Sequence, residues 1–397
     1  MILSANFRKK LYTRQFILLA LIIIAIVVGL QKYFNGHFGN YTIFTTSFWD
    51  LHAGRDLYTN TKAEFLYSPA FAVLMAPFAM LPDWLGIITW CLVNSMVVYS
   101  AIVLFPGLSP QKKTAFLGII FFEFITAQQN LQTNPIIGAL IVLAFVAFEK
   151  GNTLWAALFI VLTFYIKIYG IVAAALFLFY PEKLKFILYF IFWSIVLFLL
   201  PMVFVSLDQL IALYKSWFNF TMVQHDNASV NYSSSLNSKD PSLSLMSMLH
   251  AWFGVNWPSL YVQLTGGLLL MLPFARIKEF ANRRFRELLV ASVLIFCTIF
   301  NHMAESCSFV VAIFGVAIWF LGEEKNRFTI TLFVLAFLFT SLSPTDIFPR
   351  FVRETFVKPY VLKAAPCVFI WILIQYRLLS ESSRSEDREP AVINTPA

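Results

Sequence analysis

Apolar residues in this chain gather in long blocks separated by short polar stretches. Apolar runs occupy 16–30, 84–105, 114–127, 131–148, 153–167, 169–181, 184–205, 259–275, 288–301, 306–321, 328–343 and 360–377. Blocks of this kind predict helices in lipid, where each backbone N–H and C=O must find its partner within the segment. Several fall short of the roughly 20 residues that an ideal spanning helix needs. The 153–181 region reads either as two spans or as one broken helix. One more apolar stretch, FLYSPAFAVLMAPFAMLP (65–82), offers only the residues 69–82 and carries Pro77 near its middle. It is too short to cross and reads as a juxtamembrane segment or a re-entrant hairpin, tolerated where protein buries it or where it lines a cavity.

Composition sharpens this into an all-α polytopic membrane protein with about twelve transmembrane helices. Of the 397 residues 59% are hydrophobic and 13% charged, against roughly 25% charged in soluble domains. The net charge of +8 does not indicate nucleic acid, because the basic residues sit in small clusters between apolar runs, as topology signals do. With the N-terminus in the cytoplasm and 69–82 left out of the spans, 19 of the 29 basic residues fall inside, Arg276 to Arg286 being the densest group. Counting 69–82 as a span would put that group outside, against the positive-inside rule. The first run follows Arg8, Lys9, Lys10 and Arg14 and continues into Gln31-Lys32-Tyr33 with no small-residue cleavage site, so an uncleaved first helix is expected.

Residues 1–380 are thus expected to form one transmembrane domain. It has outer pieces at 31–68, 206–258 and 343–359, and 381–397 form a charged, disordered cytoplasmic tail. The polar stretch HDNASVNYSSSLNSKDPS (225–242) reads as a mobile loop. The absence of an evident repeat speaks against a transporter built on inverted repeats. Cys91, Cys297, Cys307 and Cys367 lie inside apolar runs without paired spacing, which supports neither a metal site nor a disulfide framework.

Candidate chemistry gathers at the outer ends of the runs. The first outer piece holds Asp50, Asp56 and Glu64, and a carboxylate at the rim of a membrane cavity can act as general base toward a hydroxyl; a solvated loop carboxylate is the plainer reading of each. Lys167, in FYIKIYG, is an ionisable group between two apolar runs, suited to a phosphate or simply snorkelling to headgroups. TAQQNLQTNP (126–135) offers Gln128, Gln129, Asn130 and Asn134, uncharged groups suited to sugar hydroxyls or to an ordinary polar loop. In NHMAES (301–306), His302 and Glu305 lie three apart, on one face if helical. No Gly-rich phosphate loop, His-Glu-x-x-His motif or Gly-x-Ser-x-Gly elbow occurs. A transferase with this layout is expected to use a lipid-linked donor.

GRDLY (54–58), LYSPAFAVLMAPFAMLP (66–82), AQQN (127–130), FYIKIYG (164–170) and HMAES (302–306), in that order, resemble the bacterial polyprenyl-phosphate-sugar-dependent glycosyltransferases of family 87. The resemblance covers about 30–380. It implies a GT-C type fold, a lipid-phosphate mannose or similar donor, a glycan or lipid acceptor, inversion, an acidic base in the first outer loop, and neither metal nor cofactor. Tyr67, inside the second motif, joins the candidate substrate-binding residues. The family's aspartate about 14 residues before the Gly of G-x-x-L-Y is Asn40 here. Asparagine is no base, so the role passes to Glu64 or Asp56, then Asp50, with Asn40 kept as a substrate-binding candidate. The expected activity is transfer of a hexose to an acceptor on the outer face of the cytoplasmic membrane. A transporter or flippase, a surface-polysaccharide polymerase or ligase, and a non-catalytic assembly factor remain as rivals.

Overall fold

The computed structural model describes residues 5–59, 65–230 and 242–380, and no strand occurs among them. All twelve apolar runs are helical. In chain order the first elements are α1 (Ala5–Phe34), α2 (Asn40–His52), α3 (Pro69–Leu74), α4 (Ala76–Ala79), α5 (Asp83–Leu104), α6 (Pro110–Gln129), α7 (Asn134–Glu149) and α8 (Thr153–Ile166). A 3₁₀ helix (Ile168–Phe179) follows, then α9 (Lys183–Leu199), α10 (Leu207–Val230), α11 (Leu245–Phe253), α12 (Ser259–Met271), α13 (Arg283–Ile299), α14 (Phe309–Gly322), α15 (Arg327–Ala336) and α16 (Ala365–Ser380). Among the described residues three helical stretches are long and apolar enough to cross a membrane, Lys10–Phe34, Asp83–Leu104 and Lys183–Val203; seven more apolar helices are shorter.

Burial follows from how polar each helix is around its circumference. α7 and α14 are apolar on all sides and almost wholly buried, and α13 is buried along nearly its full length, as a helix with no polar face must be. Gly315 lets α14 press onto α13: a Cβ there would sit 2.6 Å from the carbonyl oxygen of Ala291. α1, α5, α6, α8 and α16 pack around this centre. α9 and α12 instead expose Leu184, Leu188, Phe192, Leu264 and Leu268, which suits a surface facing lipid.

Two parts of the 31–68 region are helical. α1 runs on to Phe34, four residues past its apolar run, and α2 buries Tyr41, Phe44, Phe48 and Leu51. The 69–82 stretch folds as two short helices broken at Met75, with Ser68 capping the first and Pro77 opening the second. Tyr41 donates to the carbonyl of Phe78 at 3.0 Å, tying this pair to α2. The 225–242 stretch begins as helix, since α10 continues to Val230, while 231–241 lie outside the described residues. So do Glu64 and the 381–397 tail.

Ion pairs fasten both ends of the bundle. At one end Glu149 accepts from Arg286 at 2.6 and 3.0 Å and from Tyr180 at 2.6 Å. There too Glu323 accepts from Arg284 and Arg377, and Arg284 reaches the carbonyls of Ile318 and Trp319 in the last turn of α14. Toward the other end Lys363 is 2.6 Å from Glu123 on α6, with side chains 3% and 0% exposed, and its ammonium lies 5.2 Å from the ring centroid of Phe309. Removing one partner of such a pair leaves a buried charge uncompensated, at a cost of about 3–5 kcal/mol. Glu123→Gln is therefore expected to lower the detergent-solubilised unfolding midpoint sharply, and Glu123→Leu with Lys363→Met to recover most of the loss. Equal midpoints for wild type and Glu123→Gln would rule out this role.

Candidate functional site

A cavity of about 430 Å³ opens where α7 and α14 begin and α8 and α13 end. Two backbone features build its floor. Before α7 the chain turns at Leu131, a buried non-glycine residue at φ 51°. Its carbonyl accepts from the Trp90 indole at 3.0 Å and its N–H donates to Gln128 O at 2.8 Å. Left-handed backbone at a branched, bulky residue is costly and persists where surroundings impose it. The turn delivers Gln132, Thr133 and Asn134 to the site. The second feature is the end of α8. Lys167 is extended (φ −143°, ψ 125°), and a 3₁₀ helix, not a continued α-helix, follows. Gly170 lies so near Thr163 that a Cβ would come within 2.5 Å of the Thr163 Cβ. A long 3₁₀ stretch is unusual and marks a strained or functional break.

A connected set of polar groups results. Lys167 Nζ donates to Asn134 Oδ1 at 3.1 Å, and the Tyr169 hydroxyl donates to the same oxygen at 3.2 Å. Asn134 Nδ2 is 3.8 Å from Cys307 Sγ, and that thiol donates to Glu305 Oε2 at 3.3 Å. Gln132 Nε2 also donates to Glu305 Oε2, at 3.3 Å, and Tyr67 donates to Gln132 Oε1 at 3.4 Å. Thr133 Oγ1 is 3.4 Å from the Tyr67 hydroxyl, and the Lys167 ammonium is 5.6 Å from the Tyr67 ring centroid. Burial raises the Tyr67 pKa, with the nearby Lys167 charge pulling the other way, so Tyr67 is a neutral hydrogen-bond donor near pH 7. Across the cavity Gln263 Nε2 is 3.2 Å from His302 Nδ1, and Ser242 donates to His302 O at 2.6 Å.

Of the residues singled out in the sequence, Lys167, Tyr67, His302 and Glu305 line this one cavity. Asn134 joins its polar network through Lys167, and the other described candidates lie elsewhere. Gln128 is buried between α5 and α6, donating to Cys91 O at 3.0 Å and Ser95 Oγ at 3.2 Å. Asn40 donates to Asn130 O at 2.9 Å, Asn130 to Thr126 O at 2.8 Å, and Gln129 meets Gln31 at 3.5 Å, all on an exposed rim. Asp50 pairs with Arg55 at 2.6 Å. Asp56 accepts from the Tyr58 N–H at 2.9 Å and from Ser216 on α10 at 2.7 Å. Glu64 lies outside the described residues.

Sequence reasoning passed over Gln132, Thr133, Tyr169, Gln263 and Cys307. Gln132 and Thr133 sit in the amide-rich segment already noted and Tyr169 in FYIKIYG. Gln263 is a lone amide in an apolar helix, itself a signal; Cys307 carried none. Among the described residues Glu305 is the only Asp or Glu lining the cavity. Both of its contacts fall on Oε2, from neutral donors, so it can act as a base. Lys167 supplies a cation for an anion entering from the opening. No three His, Cys, Asp or Glu side chains among the described residues are grouped to hold a metal ion. A groove of about 450 Å³ between Phe198 and α10 is of similar volume, but it is shallow and has no carboxylate in its lining.

Set against known proteins, the chain matches the model of glycosyltransferase family 87 over residues 65–300. No curated protein and no solved structure matches it.

Proposed function

Because the chain belongs to glycosyltransferase family 87, we propose that it moves a hexose such as mannose from a polyprenyl phosphate to an acceptor hydroxyl on the outer face of the cytoplasmic membrane. The observation that carries this reading is the pairing of Lys167 with Glu305 in one cavity lined also by Tyr169, His302, Val172 and Phe296. Its polar side suits a sugar phosphate and its apolar side the start of an isoprenoid chain.

In the reaction so read, Glu305 takes the proton of the acceptor hydroxyl. The acceptor oxygen bonds to the anomeric carbon as the bond from that carbon to the phosphate oxygen breaks. The electron pair leaves with the polyprenyl phosphate, and Lys167 stabilises its growing charge. Stabilisation of developing charge by a fixed group in a site that excludes water is commonly the largest catalytic contribution. One displacement inverts the anomeric centre and needs no second carboxylate. Asn134 and Tyr169 hold Lys167 in place, and Gln132 and Cys307 orient Glu305.

The test is incubation of membranes containing the chain with radiolabelled polyprenyl-phosphate mannose, followed by a search for a labelled acceptor. Label is expected to move to a lipid or glycan with release of polyprenyl phosphate. No transfer from any lipid-linked hexose would sink the reading in favour of an assembly factor. Sidedness is checked in the same cells, where a cysteine at Ala53 should react with a membrane-impermeant maleimide and one at Lys278 should not. The four native cysteines are buried and free, which keeps the background low.

A further inference from the structure

Among the described residues His302 is the one histidine lining the cavity, and the reaction above gives it no task. Its protonation state can be read from heavy atoms alone. The Gln263 amide atom that contacts His302 Nδ1 at 3.2 Å is also 3.2 Å from the carbonyl oxygen of Phe300. A carbonyl oxygen only accepts, so that amide atom must be the nitrogen, with its oxygen turned away. The same NH₂ group then donates its second hydrogen to Nδ1. Nδ1 is thereby an acceptor, and the proton of the neutral ring lies on Nε2.

Gln263 is placed for this and little else. It sits on α12, whose other side faces outward through Leu260, Leu264 and Leu268. Gly266, one turn on, brings the helix against Phe300: a Cβ there would fall 2.1 Å from the ring. That approach fixes the distance from which Gln263 reaches Phe300 O and His302. From the other direction Ser242 holds the His302 carbonyl.

We infer that Gln263 is a positioning residue that locks His302 as an Nε2–H donor, so that His302 offers the cavity a hydrogen bond and not a base. The polyprenyl phosphate leaving the sugar is the anion that such a donor would meet. This last step rests on the function proposed above; the tautomer does not. Lys167, Glu305, Tyr67, Tyr169 and Cys297 are the other titratable side chains lining the cavity among the described residues.

Two readouts test it. The first needs no turnover. Protein labelled with ¹⁵N-histidine, in lipid at pH 8, is expected to show His302 protonated at Nε2, with its signal among those of the five histidines assigned by its loss in His302→Gln. In Gln263→Leu the two tautomers should mix. Protonation at Nδ1 in the wild type would overturn the inference whatever the chain catalyses. The second readout is the pH profile of mannose transfer from radiolabelled polyprenyl-phosphate mannose. In Gln263→Glu the carboxylate favours a proton on Nδ1, so Nε2 carries one only while the ring is an imidazolium. Transfer by that variant should therefore fall as pH rises through the His302 pKa, a limb absent from the wild type. Transfer by Gln263→Glu that shows no such alkaline limb, following the wild-type profile, would end the proposal. A wild type inactive with that donor, yet protonated at Nε2, would fault the function proposed and not the tautomer.

Discussion

Glu305→Gln is expected to lower transfer by about 10²–10⁴-fold, the usual cost of losing a positioned base, with protein level and donor affinity close to wild type. The change keeps the size of the side chain and its ability to accept from Gln132 and Cys307, and removes its basicity. Asp50→Asn and Asp56→Asn set the comparison. Asp50 is held by Arg55, and Asp56 ties the segment after α2 to α10 through Ser216. Their loss should act on folding by about 1–3 kcal/mol at most, with kcat per folded molecule nearly unchanged. Glu64→Gln completes the set, since the sequence ranks Glu64 first. If Glu64→Gln abolishes transfer and Glu305→Gln does not, the base is Glu64 and Glu305 only orders the cavity. If none of the four variants loses activity, no carboxylate of this set is the base.

Lys167→Ala should leave transfer at least about 10²–10³-fold down, the scale on which removing one preorganised charge-stabilising group is felt. The substitution also removes one of the two donors to Asn134 Oδ1, leaving the Tyr169 hydroxyl as the other. Losing that bond costs about 1–3 kcal/mol of stability, a small part of the effect on rate. Lys167→Arg should keep a fraction of the activity, because the charge remains while its point geometry becomes a planar fork. Lys167→Met, similar in length without charge, separates packing from electrostatics and should behave like Ala. Turnover by the Met variant at the wild-type rate would reduce Lys167 to a packing residue. Measurement of kcat and KM separately is informative here. A charge that acts on the leaving phosphate in the transition state lowers kcat; one that only holds the donor raises KM.

The helical architecture was legible because lipid imposes it. A run such as 184–205 has no other way to satisfy its backbone, and all twelve runs are helices. The 69–82 stretch, read as too short to cross, folds as two short helices. What pattern could not supply was the ends. α7 begins at Asn134, three residues into its apolar run, because Leu131 turns left-handed under the Trp90 indole, a contact 41 residues away in sequence. α16 begins at Ala365 because Lys363 is drawn to Glu123, 240 residues off. Site residues show the same division. Lys167 stood out as a charge in an apolar setting. Gln128 and Asn130 shared the amide-rich look of Gln132 and Asn134, and only the sharp turn between them decides which pair bonds to the cavity's Glu305 and Lys167 and which packs or lies on the rim.

The 3₁₀ helix after Lys167 bears on how so short an apolar run can serve in a membrane. An α-helix advances about 1.5 Å per residue and a 3₁₀ helix about 2.0 Å. The twelve residues of Ile168–Phe179 therefore reach about 24 Å, where the same residues as α-helix would reach about 18 Å. Against a hydrocarbon layer of about 30 Å, tighter winding recovers about four residues' worth of α-helical length. It gives the chain beyond the break at Lys167 a longer reach through an apolar layer than the same residues would have as α-helix.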